Sequence, residues 1–134
     1  MGIAKIVKQV FVTTKNETGE FFEVTQVLAE AKVNITGICA WGVQDKAYFA
    51  LLTNNNAKAV AALSAKGMQA TEQEAVAVML EDKIGAARTI AKKIRDAGIN
   101  LDYVYGTSCG CKDATSLLVI ISKENAKVVS CLNA

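Results

Sequence analysis

The chain has 134 residues, of which 51% are hydrophobic, and its 15 basic and 13 acidic side chains give a net charge of +2. This length suits one domain or two small ones, and a chain of this size buries about two-thirds of its unfolded surface. Because the sequence contains no histidine, Ser–His and Cys–His catalysis are excluded within the chain, and the dispersed basic residues argue against a nucleic-acid surface.

The N-terminal segment MGIAKIVKQV alternates charged and apolar residues, which is not the pattern of a signal peptide. No apolar run approaches the roughly 18 residues of a membrane span, so we predict a cytoplasmic protein that contacts no membrane. The four cysteines are then expected to be reduced, at positions Cys39, Cys109, Cys111 and Cys131. Since Cys109 and Cys111 are too close for a usual zinc knuckle and histidine is absent, we predict neither a metal site nor a cofactor.

The first half of the sequence predicts the order strand, helix, strand, strand, helix, strand. Apolar side chains recur every three or four residues on one face of the first helix, at Phe21, Val24, Leu28 and Ala31. The predicted strands are 4–14, 34–43, 46–53 and 68–73, and the predicted helices are 20–32 and 57–66. This βαββαβ order is that of the ferredoxin-like fold, an α+β fold in which one antiparallel sheet carries both helices on a single face.

The second half repeats the first. A shift of 66 positions places Gly19 on Gly85 and Asn34 on Asn100, whereas NNNAKAVAAL (54–63) matches KENAKVVSCL (123–132) at a shift of 69. The three extra residues fall in the loop around TSCGCKD, where insertions cost least. Further strands are predicted at 74–82, 99–107 and 114–122, and further helices at 86–97 and 124–132. We expect two ferredoxin-like domains, residues 1–73 and 74–134.

The second copy has no counterpart of the strand at 68–73, so its sheet lacks the last strand. Its first strand, at 75–80, is then left with one free edge, and exposed apolar edges invite pairing. We expect this edge to be covered by the other copy, by a second chain, or by residues beyond this sequence. A homodimer is accordingly expected.

Ferredoxin-like folds serve many functions, so the residues of the site must decide between them. An RNA-recognition module would carry stacking aromatic residues on its central strands, but the run ATSLLVII (114–121) has none. A heavy-metal-binding version would place Cys-x-x-Cys before the first helix, where the two loops read TKNETGEF and EDKIGAAR. The sequence lacks the residues that either alternative requires, which leaves small-molecule binding at the loop before the helix.

That loop has features suited to a free amino acid. The first turn of a helix leaves backbone N–H groups unpaired and accepts carboxylates readily, while Gly19 lets a ligand or another backbone segment approach. The amide of Asn16 can donate and accept hydrogen bonds, and Asn34 could bring a second amide to the same groove. Each residue also has a simpler interpretation, in which the asparagines satisfy local backbone and the glycine serves turn geometry alone.

The segments KNETGEFFEVTQVLAEAKVNI and EDKIGAARTIAKKIRDAGINLDYVY resemble two ACT domains, the βαββαβ regulatory module that binds amino acids. The resemblance covers essentially the whole chain. In that family the ligand lies between two domains, against the loop before the first helix and an Asn that follows the helix. The resemblance therefore implies ligand-binding residues in both copies: Asn16, Thr18, Gly19 and Asn34 in the first, and Asp82, Gly85 and Asn100 in the second.

Two positions depart from the family pattern. The usual Pro-Gly turn is replaced by Thr18-Gly19, which the fold tolerates because proline stiffens such a turn without shaping it. Asp82 stands where the first copy has Asn16, and its carboxylate would repel a ligand carboxylate but could hold an ammonium group. The two sites are therefore expected to differ.

The resemblance implies a regulatory protein, not an enzyme, that binds an amino acid and signals through altered assembly or partner binding. Since the sequence contains no catalytic domain, the output would pass to a metabolic enzyme or another regulator. One alternative is a ligand-free structural or oligomerisation module. A remoter alternative is a small enzyme that uses Asp82 together with a lysine.

Overall fold

The computed structural model describes residues 3–108, 110, 111 and 115–134 of the chain. The strands in this part of the chain are β1 (Ala4–Lys15), β2 (Ile35–Val43), β3 (Lys46–Thr53), β4 (Gln69–Glu81), β5 (Tyr103–Thr107) and β6 (Thr115–Ile121). The helices are α1 (Glu20–Glu30), α2 (Asn56–Ala65), α3 (Ala86–Asp96) and α4 (Asn125–Asn133). The fold is α+β, as predicted, and each helix begins and ends within about two residues of its predicted position, the usual uncertainty of helix ends.

Contacts along the chain divide it into two compact units. The first unit is Lys8–Gln73, and the second unit joins Glu74–Ala134 to the N-terminal residues through Val7. Strands β1 and β4 therefore each contribute residues to both units. The boundaries expected from the sequence, 1–73 and 74–134, differ from this division in the N-terminal residues, which belong with the second unit.

In the first unit the strand order is β2-β3-β1-β4, and β3 runs antiparallel to both β1 and β2. Phe49 on β3 pairs with Val12 on β1 and with Ala40 on β2, so these three side chains share one face of the sheet. Helices α1 and α2 cover this face, and the buried core draws on both helices, β1 and β3: Val10, Val12, Val24, Val27, Leu28, Phe49, Leu51, Ala59 and Leu63.

The second unit repeats this arrangement with the strand order β5-β6-β4-β1. Leu118 on β6 pairs with Val78 on β4 and with Gly106 on β5, as Phe49 pairs with its two neighbours in the first unit. Leu118 corresponds to Phe49 at a shift of 69, whereas its two partners correspond at 66, so the extra residues lie between β5 and β6. The core again lies between the sheet and two helices: Val76, Val78, Ile90, Ile94, Ile120, Val128 and Leu132.

The N-terminal part of β1 takes the place of the strand that the second copy lacks. The Met79 N–H on β4 donates a hydrogen bond to the Ile3 carbonyl oxygen at 3.0 Å, and Ala4 is buried in the core of the second unit. Asn133, the last residue of α4, binds the same segment. Its Oδ1 accepts from the N–H groups of Ile3 and Ala4 at 2.8 and 2.9 Å, and its Nδ2 donates to the Ala4 carbonyl at 2.9 Å. The edge at 75–80, which was expected to be covered, is therefore paired within the chain.

Strand β4 runs unbroken across the point where the sequence predicts two strands, 68–73 and 74–82. No glycine, proline or asparagine lies between Gln69 and Glu81, so nothing in this stretch favours a turn. A strand of 13 residues reaches roughly 43 Å at about 3.3 Å per residue, long enough to contribute to both units.

Two asparagines at equivalent positions of the repeat donate hydrogen bonds to the backbone of β1 and β4, at the residues where each strand passes from one unit to the other. Asn56 at the start of α2 donates from Nδ2 to the Lys8 carbonyl at 3.0 Å, and Asn125 at the start of α4 donates to the Glu74 carbonyl at 3.3 Å. These asparagines coincide in the repeated segments NNNAKAVAAL and KENAKVVSCL. The repetition is explained by this shared contact, to which the sequence alone assigned no role.

Candidate functional site

A groove of about 480 Å³ opens in the first unit between the β1–α1 loop and the sheet. Its walls come from the loop, the first turn of α1, and strands β2 and β3. The lining residues are Asn16, Glu17 and Gly19 in the loop, Glu20 and Phe21 on α1, and Ile38, Ala40, Trp41, Gly42, Ala47 and Phe49 on the strands. Two of the residues predicted to bind a ligand, Asn16 and Gly19, therefore lie at one groove.

The Gly19 turn leaves the start of α1 accessible. Gly19 precedes the helix with φ +94°, in the left-handed region, and no side chain caps the helix end. A Cβ added at Gly19 would meet no atom within 4 Å, so the backbone conformation, and not crowding, favours glycine here. The Gly19 carbonyl accepts the first helical hydrogen bond, from the Glu23 N–H at 2.9 Å. The Glu20 N–H donates to the Glu17 carbonyl at 3.3 Å, whereas the next N–H groups of the first turn lack intrahelical partners and can bind an anion.

Asn16 connects the β1–α1 loop to the turn between β2 and β3. Its Nδ2 donates to the Gln44 carbonyl at 3.0 Å, and its backbone N–H donates to the Asp45 carbonyl at 2.9 Å. A Cβ added at Gly42 would lie 2.6 Å from this Nδ2, so the bare Gly42 backbone provides the space that the amide occupies. Among the described residues, Asn16 Oδ1 accepts no hydrogen bond, which leaves an acceptor at the groove.

Thr18 and Asn34 do not line the groove. Thr18 is exposed in the loop, and Asn34 follows the far end of α1, about 16 Å along an 11-residue helix from Gly19. The Asn34 backbone is paired with Asn54: its N–H donates to Asn54 Oδ1 at 2.9 Å, and its carbonyl accepts from the Asn54 N–H at 3.1 Å. The two amides of the first copy are thus not brought together within the first unit.

The equivalent place in the second unit is lined by different side chains. Asp82 and Ser108, which correspond to Asn16 and Gly42, are joined by a hydrogen bond from Ser108 Oγ to Asp82 Oδ2. Leu118 lies over Gly106 so closely that an added Cβ would be 2.5 Å from the Leu118 Cδ2 atom. This difference fits the expectation that the two copies are not equivalent.

Gly85 and Asn100 have local backbone contacts in the second unit. Gly85 begins α3 with φ +86°, as Gly19 begins α1. Asn100 is exposed, and its carbonyl accepts a hydrogen bond from Ser122 Oγ at 2.8 Å. Asn100 is separated from Gly85 by the length of α3, as Asn34 is separated from Gly19 by α1.

The family model of ACT domain pairs matches residues 5–133 of the chain. The chain belongs to this family. The match confirms the resemblance inferred from the two repeated segments, and an ACT domain pair is a regulatory module, not a catalytic one.

Solved structures share the fold of this ACT domain pair at low sequence identity. A Bacteroides thetaiotaomicron protein is 22% identical with a TM-score of 0.86, over 96% of this chain and 88% of that one. The ligand-free regulatory subunit of aspartate kinase from Thermus thermophilus is 13% identical with a TM-score of 0.63, over 98% and 95%. Aspartokinase III from E. coli, in complex with lysine and aspartate, is 16% identical with a TM-score of 0.54, over 96% and 31%. No curated protein matches the chain.

Nine of the eleven groove residues of the ACT domain pair were not predicted as ligand contacts, among them Glu17, Glu20, Phe21 and Ile38. The helical pattern placed Phe21 on the buried face with Val24 and Leu28, but Phe21 is 61% exposed whereas the other two are fully buried. The repeat contained a signal for this difference, because Phe21 corresponds to alanine at position 87. A large apolar residue that a small one can replace is not required by the core.

Trp41 on β2 belongs to an aromatic cluster. Its ring packs against Phe11 and Tyr48, with centroids 6.1 and 5.6 Å apart. These three residues lie on the sheet face opposite Phe49, because Trp41 pairs with Tyr48 where the neighbouring Ala40 pairs with Phe49. Trp41 also borders the groove at the edge of the sheet.

The cysteines and acidic residues form no metal centre in the part of the chain that the structure describes. Cys39 and Cys131 carry free thiols, and burial raises the pKa of the Cys39 thiol, which makes it a weaker nucleophile at neutral pH. The expectation of a reduced thiol is wrong for Cys111, which is disulfide-bonded, and Cys109 lies outside the described residues. None of the described helices has the length and apolar character needed to cross a membrane.

Proposed function

We propose that this ACT domain pair is a non-enzymatic cytoplasmic regulator that binds an amino acid in the groove of the first unit. The observation that carries the proposal is the groove itself, because it opens where the uncapped start of α1 meets the Asn16 loop. Aspartokinase III from E. coli, which shares the fold, was solved in complex with lysine and aspartate. Amino-acid binding is therefore compatible with this architecture.

The groove offers both polar contacts that a free amino acid needs. Backbone N–H groups in the first turn of α1 can receive its carboxylate, which the partial positive charge of the helix end favours. The free Asn16 Oδ1 and the Glu17 and Glu20 carboxylates can receive its ammonium. Asn34, Gly85 and Asn100 are then left with structural roles, Thr18 has no assigned role, and Asp82 is paired with Ser108 in the second unit.

Regulation would follow from linkage between the ligand and a partner protein. A ligand that binds one conformation of the β1–α1 loop more tightly stabilises that conformation, and any partner that distinguishes the conformations responds. The Thermus thermophilus protein with this fold is a regulatory subunit of aspartate kinase. By analogy, we propose a metabolic enzyme or another regulator as the partner.

Thermal unfolding in the presence of each of the twenty amino acids tests this proposal. A cognate amino acid at 100 times its dissociation constant should add about 2.7 kcal/mol to the free energy of unfolding. Ala40→Leu fills the groove from an exposed position on β2 and should abolish that gain, while it changes the unliganded stability by no more than about 0.5 kcal/mol.

Ala87→Leu is the matched control, because Ala87 is exposed on α3 in the second unit. It should leave the ligand-dependent gain intact. If none of the twenty amino acids stabilises the wild type, or if Ala40→Leu retains the full gain, the groove is not an amino-acid site.

A second candidate function is ligand-free assembly, which the exposed edge of the first unit favours. Strand β2 is the edge strand of its sheet, and its residues Ile38 and Val43 are 40% and 53% exposed. Such edges pair readily with another strand, and we propose a homodimer formed through β2. In this case Val43→Lys should convert a dimer into a monomer by light scattering, and no amino acid should shift the melting temperature.

A further inference from the structure

The chemistry of the groove walls is divided between an acidic side and an apolar side. Glu17 and Glu20 lie on the side formed by the loop and α1. The opposite side is formed by strand residues without charge, among them Ile38 and Phe49, and the exposed Phe21 on α1 adds a further apolar side chain to the lining. Among the described residues that line the groove, none is a lysine or an arginine.

From this division we infer that the ligand is an amino acid with a large apolar side chain, an inference that rests on the proposed function. The ammonium group lies towards Glu17 and Glu20, and the side chain lies against Ile38, Phe49 and Phe21. These two carboxylates are the only charged side chains among the described residues that line the groove. Since they are negative, the part of the ligand that they recognise is its ammonium group.

Other classes of amino acid satisfy these walls less well. An acidic side chain would meet no cation in the groove and would be repelled by the two glutamates. A basic side chain would place a second positive charge against the apolar strands, where it loses hydration without gaining a partner. A small side chain would leave most of the 480 Å³ groove filled by water and would bury little apolar surface.

Calorimetric titration of the full chain with four probes tests the class directly. L-Phenylalanine should bind, and phenylpyruvate, which keeps the ring and the carboxylate but lacks the ammonium group, should bind at least about 10-fold more weakly. L-Alanine, which lacks the large side chain, should also bind about 10- to 100-fold more weakly. L-Lysine tests the effect of a second positive charge and should bind more weakly than L-phenylalanine by a similar factor.

Two pairs of variants separate contacts in the groove from general effects. Phe21→Ala should weaken the binding of L-phenylalanine about 10-fold. Phe22→Ala should not, although the two side chains are similarly exposed, at 61% and 60%. The double variant Glu17→Gln/Glu20→Gln should weaken it about 10-fold. Glu23→Gln, in the same helical turn but outside the groove, should not.

The outcomes distinguish this inference from the function on which it rests. Tighter binding of L-lysine, L-alanine or any polar amino acid than of L-phenylalanine, with sensitivity to groove variants, would overturn the inference and leave amino-acid binding standing. Equal affinity for phenylpyruvate would overturn the role of the two glutamates. If no amino acid binds at all, the inference and the proposed function both fail.

Discussion

The N-terminal strand should depend on Asn133 for much of its attachment to the second unit. The Asn133 side chain makes three hydrogen bonds to the backbone of Ile3 and Ala4, at 2.8 to 2.9 Å. Asn133→Ala removes all three and leaves two N–H groups and one carbonyl without this partner. The segment would then be attached mainly by its pairing with β4 and by the buried Ala4 side chain.

The expected loss is about 2–3 kcal/mol in the free energy of unfolding. Each net hydrogen bond contributes about 0.5–1.5 kcal/mol, so three would contribute roughly 1.5–4.5 kcal/mol if they were fully buried. These bonds are partly buried, and water can replace some of them. The estimate therefore lies in the lower half of that range.

Urea unfolding gives the change in stability, and amide exchange at Met79 reports the strand itself, because the Met79 N–H is hydrogen-bonded to Ile3. Exchange at this amide should accelerate in Asn133→Ala. The control is Asn54→Ala, which removes a single exposed side-chain acceptor from the Asn34 N–H and should cost no more than about 1 kcal/mol. A loss below about 0.5 kcal/mol in Asn133→Ala, with Met79 protection unchanged, would show that these three hydrogen bonds do not hold the N-terminal segment.

Three further predictions concern helix ends and charge. Lys32, which follows α1, has φ +60°, and this left-handed conformation costs a non-glycine residue about 1–2 kcal/mol. Lys32→Gly should remove part of that cost and raise the free energy of unfolding, measured in urea, by about 0.5–1 kcal/mol. Gly19→Ala should lower stability by about 1–2 kcal/mol without any clash, again by urea unfolding. Hydrogen bonds from Lys92 and Arg95 hold the pKa of Asp96 below its usual value, so its contribution is present at neutral pH and is lost as the pH falls through about 4 and below. Asp96→Asn should therefore show a smaller difference in stability between pH 7 and pH 3.

The repeat and the helices were predictable because their signals are local. Apolar spacing determines which residues form a helix, and a fixed shift of 66 then 69 residues places the second copy on the first. The completion of the second sheet by Ala4–Val7 was not predictable in this way. The sequence predicts a single strand at residues 4–14 and does not show that its first residues belong to the second unit. That assignment depends on contacts with α4, which lies at the other end of the chain.

The candidate site was only partly predictable. Gly19 indicates a turn, and Asn16, three residues earlier in the same loop, was predicted as a ligand contact together with it. Asn34 was assigned to the same groove without regard to the length of α1, which separates the two residues. Phe21 was assigned to the core because helical spacing alone does not show where the neighbouring sheet ends and solvent begins.

The most direct test of the central claim is amide chemical-shift mapping of the full chain with the amino acid that stabilises it most. Chemical shifts should change at Gly19 and Gly42 in the first unit and saturate at one ligand per chain. The variant Asn16→Asp/Gly42→Ser, which gives this groove the hydrogen-bonded Asp–Ser pair of the second unit, should lose those shifts. Shifts confined to residues 82–86 and 106–108, or unchanged amides at the groove under saturating ligand, would contradict the claim.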